Sequence, residues 1–205
     1  MKLSYAITVC NELEEIQRLI PYLLKHKSEE DEIVILYDGE NGSKEVKEYI
    51  LPLTDTMSVN IGWFEGNFAD WKNKLNGFCK GDFIFQLDAD EIPCVSIIET
   101  LPFLLEQNPD VEVYLVPRVN TVDGLTDEHI KKWKWNVNSE GWVNWPDYQW
   151  RIYKNTPNIK WKNKVHEILE GFAQYAHLPM EEDYSLYHPK TIEKQEKQNQ
   201  LYETI

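Results

Sequence analysis

No stretch of this chain approaches the 18 or so consecutive apolar residues of a membrane span, so no transmembrane helix is expected. Met1 to Cys10 carries one Lys and no small-residue cleavage site, which argues against a secretory leader and for a cytoplasmic location. Cysteine is scarce. Cys10, Cys79 and Cys94 are odd in number and lack the short paired spacing of a zinc site, so they read as reduced thiols in or near a core. Basic charge is also short: 21 Lys and Arg against 35 Asp and Glu leave −14, which repels phosphate backbones and anionic lipid unless the basic residues are locally concentrated. Nucleic acid is therefore an unexpected partner. There is no Gly-x-Gly-x-x-Gly after the first apolar run and no Gly-Lys-Ser/Thr, which removes support for dinucleotide and P-loop chemistry, and no internal repeat. What is present is enough apolar residue, 42% with 13% aromatics over 205 residues, for a single domain with a substantial core.

From Lys2 to Pro117, short β-branched and aromatic runs alternate with helical periodicities, the pattern of an α/β layer on a mainly parallel central sheet flanked by helices. Strands are predicted at Leu3 to Val9, Glu32 to Tyr37, Met57 to Ile61, Asp82 to Leu87 and Val111 to Val116. Ile16, Leu19, Ile20, Leu23 and Leu24 recur at helical steps, with Asn11 as the N-cap and Glu14 as its capping-box partner. Further helices are predicted at Ser43 to Ile50, Phe68 to Phe78 and Val95 to Gln107, the last with Pro102 as a kink or boundary. Beyond Pro117 the composition shifts to Trp-rich loops and shorter strands, with a hairpin predicted from Arg151–Lys154 and Ile159–Trp161. Residues 1–117, 118–188 and 189–205 thus read as an α/β half, a loop-rich half and a polar C-terminal helix of one domain.

In an open parallel sheet, ligands bind beyond the carboxyl ends of the strands. Three predicted strand ends carry carboxylates there: Cys10-Asn11-Glu12, Asp38-Gly39-Glu40 and Asp88-Ala89-Asp90-Glu91. The last follows the apolar run Phe83 to Leu87, and oxygen ligands of that kind suit Mg²⁺ or Mn²⁺ with positions left for substrate phosphates. A solvated loop or helix cap is the simpler reading of a bare Asp-x-Asp, and Asp38-Gly39 and Asn41-Gly42 also read as turns.

These residues resemble family 2 of the glycosyltransferases, which have the GT-A nucleotide-diphospho-sugar transferase fold. Ile7 to Glu12 is similar to that family's first strand and donor turn, Asp38 to the acid after its second strand, and Asp88-Ala89-Asp90-Glu91 to its Asp-x-Asp signature. Phe68 to Asn73 and Lys80 to Phe83 resemble its helix and the lead-in to the metal strand. Trp145 to Tyr153, Val165-His166-Glu167 and Leu186-Tyr187-His188 are similar to the branch with small bacterial lipopolysaccharide-core glucosyltransferases. Tyr37-Asp38-Gly39-Glu40 departs from the members that carry a second acid directly after the first.

The resemblance implies a metal-dependent inverting glycosyltransferase that moves a sugar from a nucleotide-diphosphate sugar, a UDP-sugar for preference, to a hydroxyl of a glycan or glycolipid. It implies donor contacts from Thr8, Asn11, Glu12, Asp38, Asn73, Asp88, Ala89 and Arg151, with Mn²⁺ or Mg²⁺ on Asp90 and Asp88. His166 and His188 compete as a further ligand, His166 first and His188 second, each otherwise an ordinary structural histidine. Inversion needs a base across from the metal, and Asp147 is assigned that role, with Arg151 to orient nearby acids or meet the diphosphate. Trp142 and Trp145, nearest that base, could stack on an acceptor sugar, although large aromatics also simply build cores. Lys131, Lys132 and Lys134, then Lys160, Lys162 and Lys164, could face an anionic acceptor or be solvated. A membrane-borne acceptor would be visited only transiently. The competing functions are a nucleotidyltransferase, which would want a Gly-rich phosphate loop, a glycoside hydrolase, which would need no nucleotide, a non-catalytic carbohydrate-binding or degenerate transferase domain, and a transferase acting on a modified nucleic-acid base.

Overall fold

A computed structural model describes residues 1–202. In chain order the elements are β1 (Leu3–Val9), α1 (Leu13–His26), β2 (Glu32–Asp38), α2 (Lys44–Ile50), β3 (Ser58–Gly62), α3 (Phe68–Asn76), β4 (Phe83–Asp88), β5 (Ile92–Pro93) and α4 (Val95–Gln107). They continue with β6 (Val113–Val116), β7 (Arg118–Asp123), α5 (Asp127–Trp133), β8 (Gln149–Lys154), β9 (Lys160–Lys162), β10 (Ile168–Glu170), β11 (Tyr175–His177), β12 (Leu186–Thr191) and α6 (Ile192–Tyr202).

The central sheet has the order β11-β6-β8-β4-β1-β2-β3. It is mixed: β4, β1, β2 and β3 run parallel, as β11 does to β6, whereas β8 is antiparallel to both β4 and β6. Both faces are covered, so β1, β2 and β4 read as near-continuous apolar runs. One face packs Tyr5, Ile7, Ile33, Ile35 and Phe85 against Ile16, Leu19 and Leu23 of α1 and Ile98 and Leu101 of α4. The other packs Ala6, Val34, Leu36 and Ile84 against Trp71 and Leu75 of α3 and Trp161 of β9. A smaller sheet, β5-β12-β7, stands beside the carboxyl end of β4.

Several predicted features shift. The N-cap of α1 is Glu12, not Asn11: the Glu12 carboxylate folds back to accept the N–H groups of Cys10 (2.7 Å) and Asn11 (2.9 Å), which leaves Asn11 in the exposed turn. Pro102 lies inside α4 and does not end it. The predicted hairpin does not form, because the apolar flanks of β8 are taken up by β4 and β6 in the buried sheet, and β9 pairs with β10 instead. Pro189, Lys190 and Thr191 belong to β12, so the polar C-terminal helix starts at Ile192; residues 203–205 of that prediction lie outside the described residues. The two halves meeting near Pro117 share the central sheet, since β6 is flanked by β8 and β11.

Candidate active site

The carboxyl ends of β1, β2 and β4 lie side by side, because Thr8 is in register with both Leu36 and Asp88. Asp38 closes β2 in a buried turn. Its carboxylate accepts N–H bonds from Glu40 (3.1 Å), Phe64 (3.4 Å) and the Asn41 side chain (2.8 Å). Burial pushes this carboxyl up, but those donors outweigh it and hold the group below the usual carboxylate range. Gly42 makes the turn possible: its N–H donates to the Asp38 carbonyl at 2.9 Å, and a Cβ there would lie 2.3 Å from the same oxygen. A cavity of about 340 Å³ opens beside it, lined by Thr8, Asn11, Glu12, Asp38, Phe64 and Trp71 among others.

A larger cavity of about 620 Å³ shares Thr8, Glu12 and Phe68 with the first. Asp88, Ala89, Asp90, Asp147, Arg151, His166 and His188 all line it, so candidates nearly 100 residues apart in sequence converge on one chamber. The acids after β4 have different tasks. Asp88 takes Arg151 Nη2 at 2.6 Å, with Lys72 Nζ 4.0 Å from its other oxygen. Glu91 turns inward, fully buried, and accepts from Arg151 (2.7 and 2.8 Å) and Arg118 (2.9 Å). Burial raises both carboxyls, and the guanidinium of Arg151, helped by Arg118, more than reverses this and keeps each ionised well below its ordinary range. Arg151 itself is 3% exposed, so its planar fork is spent on orienting these two acids.

Asp90 points the other way, to His188, whose Nε2 lies 3.2 Å from Asp90 Oδ2. Burial raises the Asp90 carboxyl, but the His188 contact and nearby Lys190 outweigh it; burial lowers the His188 imidazole against the pull of Asp90. Among the described residues no group of three His, Cys, Asp or Glu side chains gathers as a cage. A carboxylate and an imidazole facing a polar chamber do fit a divalent cation of the type that completes its coordination with water and substrate phosphates. Asp88, committed to Arg151, is turned toward a guanidinium rather than toward His188.

Asp147 lines the same chamber, following the cis Trp145-Pro146 bond. Its Oδ2 accepts Arg118 Nε (2.9 Å), Arg118 Nη2 (2.8 Å) and Asn120 Nδ2 (2.6 Å), whereas Oδ1 accepts only Gln149 Nε2 at 2.9 Å in the side-chain network. Its φ of 31° is a left-handed conformation that a non-glycine residue holds at a cost of about 1–3 kcal/mol, and this donor set locks it. Asn144 and His166, at φ 54° and 55°, line the same chamber.

Three expected site residues, Asn73, Trp142 and Trp145, line neither of these two cavities. The Asn73 amide pairs with both backbone groups of Trp161 at 2.9 Å, acting as a strand partner that ties α3 to β9. Trp142 and Trp145 are half-buried against each other, ring centroids 4.8 Å apart, and Trp135 is the indole that lines the chamber. Of the lysines, Lys160 and Lys162 flank the buried Trp161 and point to solvent, Lys162 pairing with Glu170. Arg118, Asn120, Lys72 and Lys190 were not singled out in the sequence. For Arg118 and Asn120 the usable signal was their i, i+2 spacing after Pro117, which puts both on one face of β7.

The glycosyl transferase family 2 model matches residues 4–181. No curated protein matches the chain. Among solved structures, S. aureus TarS 1-349 in complex with UDP-GlcNAc superposes with a TM-score of 0.64 at 14% identity, over 93% of this chain and 59% of that one. The same TarS segment in complex with UDP gives 0.59 at 13% identity, over 92% and 60%. The chain thus spans about three fifths of the TarS segments it resembles, and at this identity the likeness is one of fold. No helix among the described residues is long and apolar enough to cross a membrane. With the family model spanning most of its length, the chain belongs to glycosyl transferase family 2.

Proposed function

We propose that the protein transfers a sugar from a UDP-sugar to a hydroxyl of a glycan or glycolipid, with inversion at the anomeric carbon and dependence on Mn²⁺ or Mg²⁺. The observation that carries this reading is the meeting of Asp147 and the Asp90–His188 pair in one chamber that opens beside the Asp38 cavity. TarS structures solved with UDP-GlcNAc and UDP support the choice of nucleotide. The Asp38 cavity would take the base, with Thr8, Asn11 and Glu12, and Asp88 and Ala89 would face the ribose and diphosphate. Asp90 and His188 would hold the divalent ion, which supplies positive charge for the departing diphosphate. His166, on the loop between β9 and β10, is the second histidine of the chamber.

Asp147 then acts as the base. An acceptor oxygen attacks the anomeric carbon, the bond from that carbon to the diphosphate oxygen breaks, and the hydroxyl proton passes to Asp147 Oδ1. That oxygen is suited to the task because three donors converge on Oδ2 and leave Oδ1 the freer of the two. Arg118, bonded to both Asp147 and Glu91, fixes the base against the Arg151 network below the donor. Trp135, which lines the chamber, offers a ring for an acceptor sugar, and Trp142 with Trp145 is a second stacking pair.

The test is UDP release from a panel of UDP-sugars with Mn²⁺, alone and with glycan acceptors. One donor should turn over, faster with an acceptor, and Asp147→Asn should abolish the acceptor-stimulated part. Turnover of no donor, or full activity in Asp147→Asn, would refute the assignment.

A further inference from the structure

Asn120 bonds to two of the candidate residues that line the chamber. Its Nδ2 donates to Asp147 Oδ2 at 2.6 Å and to the Val143 carbonyl at 3.4 Å. Both are acceptors only, so the amide is oriented with Oδ1 on the far side, 2.6 Å from His188 Nδ1. Oδ1 cannot donate, so His188 Nδ1 must carry a proton and donate it. Nε2 is then the ring nitrogen left for a metal, and it lies 3.2 Å from the Asp90 carboxylate. Left to itself, that carboxylate would draw the proton to Nε2, where an N–H could bond to it; the Asn120 oxygen opposes this and keeps Nε2 available as a ligand.

The backbone holds Asn120 in place. It is in register with His188 in the β7–β12 ladder, and its carbonyl accepts the Val143 N–H at 2.9 Å across a bridge to the segment that leads into Asp147. One side chain therefore touches the base and the metal-ligand histidine, which belong to elements 41 residues apart (188 − 147).

We infer that Asn120 is a two-armed positioning residue: its amide nitrogen orients the base Asp147, and its amide oxygen selects the His188 tautomer that can ligate the metal. The inference deepens the function proposed above and rests on it for the roles of the two partners, but its tautomer half concerns the protein alone. The Asn120→Asp variant separates the arms, since a carboxylate still accepts from His188 Nδ1 but cannot donate to Asp147. Asn120→Ala removes both arms.

The experiment is long-range ¹H–¹⁵N NMR of the His188 ring in metal-free protein, followed by Mn²⁺ binding in the presence of UDP and by UDP release. Wild type should show Nδ1–H, and Asn120→Ala should shift the proton to Nε2 and weaken Mn²⁺ by about 10–100-fold, the usual cost of losing a histidine's orienting partner. Asn120→Asp should keep Nδ1–H and most of the Mn²⁺ affinity while acceptor-dependent turnover falls. A wild-type His188 with its proton on Nε2 overturns the inference, whether or not Asn120→Ala folds. So does an Asn120→Asp variant that loses Mn²⁺ as fully as Asn120→Ala. If wild type shows Nδ1–H but binds neither Mn²⁺ nor UDP, the transferase reading fails while the tautomer assignment stands.

Discussion

The carboxylates divide by what faces them. Asp88 and Glu91 meet guanidinium groups, Asp90 meets an imidazole, and Asp147 keeps one lightly bonded oxygen toward the chamber. Removing the Asp147 charge without changing its shape isolates the base: Asp147→Asn should lower the rate of acceptor-dependent transfer by about 10²–10⁴-fold, with UDP affinity unchanged, measured by turnover and by calorimetry. Arg151 makes the opposite prediction. It is buried between two acids, so Arg151→Met takes the principal counter-charge from Asp88 and Glu91 and should destabilise the fold by about 3–5 kcal/mol in urea titration. The acids after β4 were legible in sequence because they follow an apolar run, and Arg151 was expected to orient acids near it; Arg118 was not singled out, since it reaches Glu91 from β7, 27 residues along the chain.

The elements with a strong local signal were readable. The apolar stripe of α1 and the runs of β1, β2 and β4 fall close to their predicted spans, because burial on one stripe or on both faces imposes a pattern of its own. What local pattern could not supply was pairing: β8 inserts between β4 and β6, so its antiparallel neighbours are distant in sequence, and the adjacent β9 finds β10. Asn73 is the same lesson in one side chain. Its place in a family-like helix suggested donor binding, and its amide instead closes the gap between α3 and β9. Asn73→Ala should therefore cost stability, about 1–3 kcal/mol for the unpaired Trp161 backbone groups, and leave UDP affinity intact; thermal unfolding and titration of the same variant check both.

Across the whole molecule, the two sheets are joined through the Glu91 network, and this joint has a pH signature. Glu91 titrates near 4.5 when unfolded and is held far lower in the fold, first against its own burial and then by Arg151 and Arg118. The unfolded state thus takes up protons before the native state does as pH falls below about 4.5, and stability declines from there toward pH 2. Glu91→Gln should be less stable at pH 7 and should show a flatter decline over that window, measured by urea midpoints at each pH. The composition is consistent with the same picture: a net charge of −14 surrounds a chamber whose polar lining includes Lys72, Arg118, Arg151 and Lys190, so a diphosphate meets basic groups where the surface is otherwise acidic.

The most direct measurement is calorimetric titration of UDP, with GDP and CDP as controls, in Mn²⁺ and in EDTA, on wild type and on Asp90→Ala. Saturable UDP binding that requires Mn²⁺ and is lost in Asp90→Ala is the predicted result. Binding that ignores both the metal and Asp90, or no nucleotide binding under any condition, would contradict the donor site proposed for this chain.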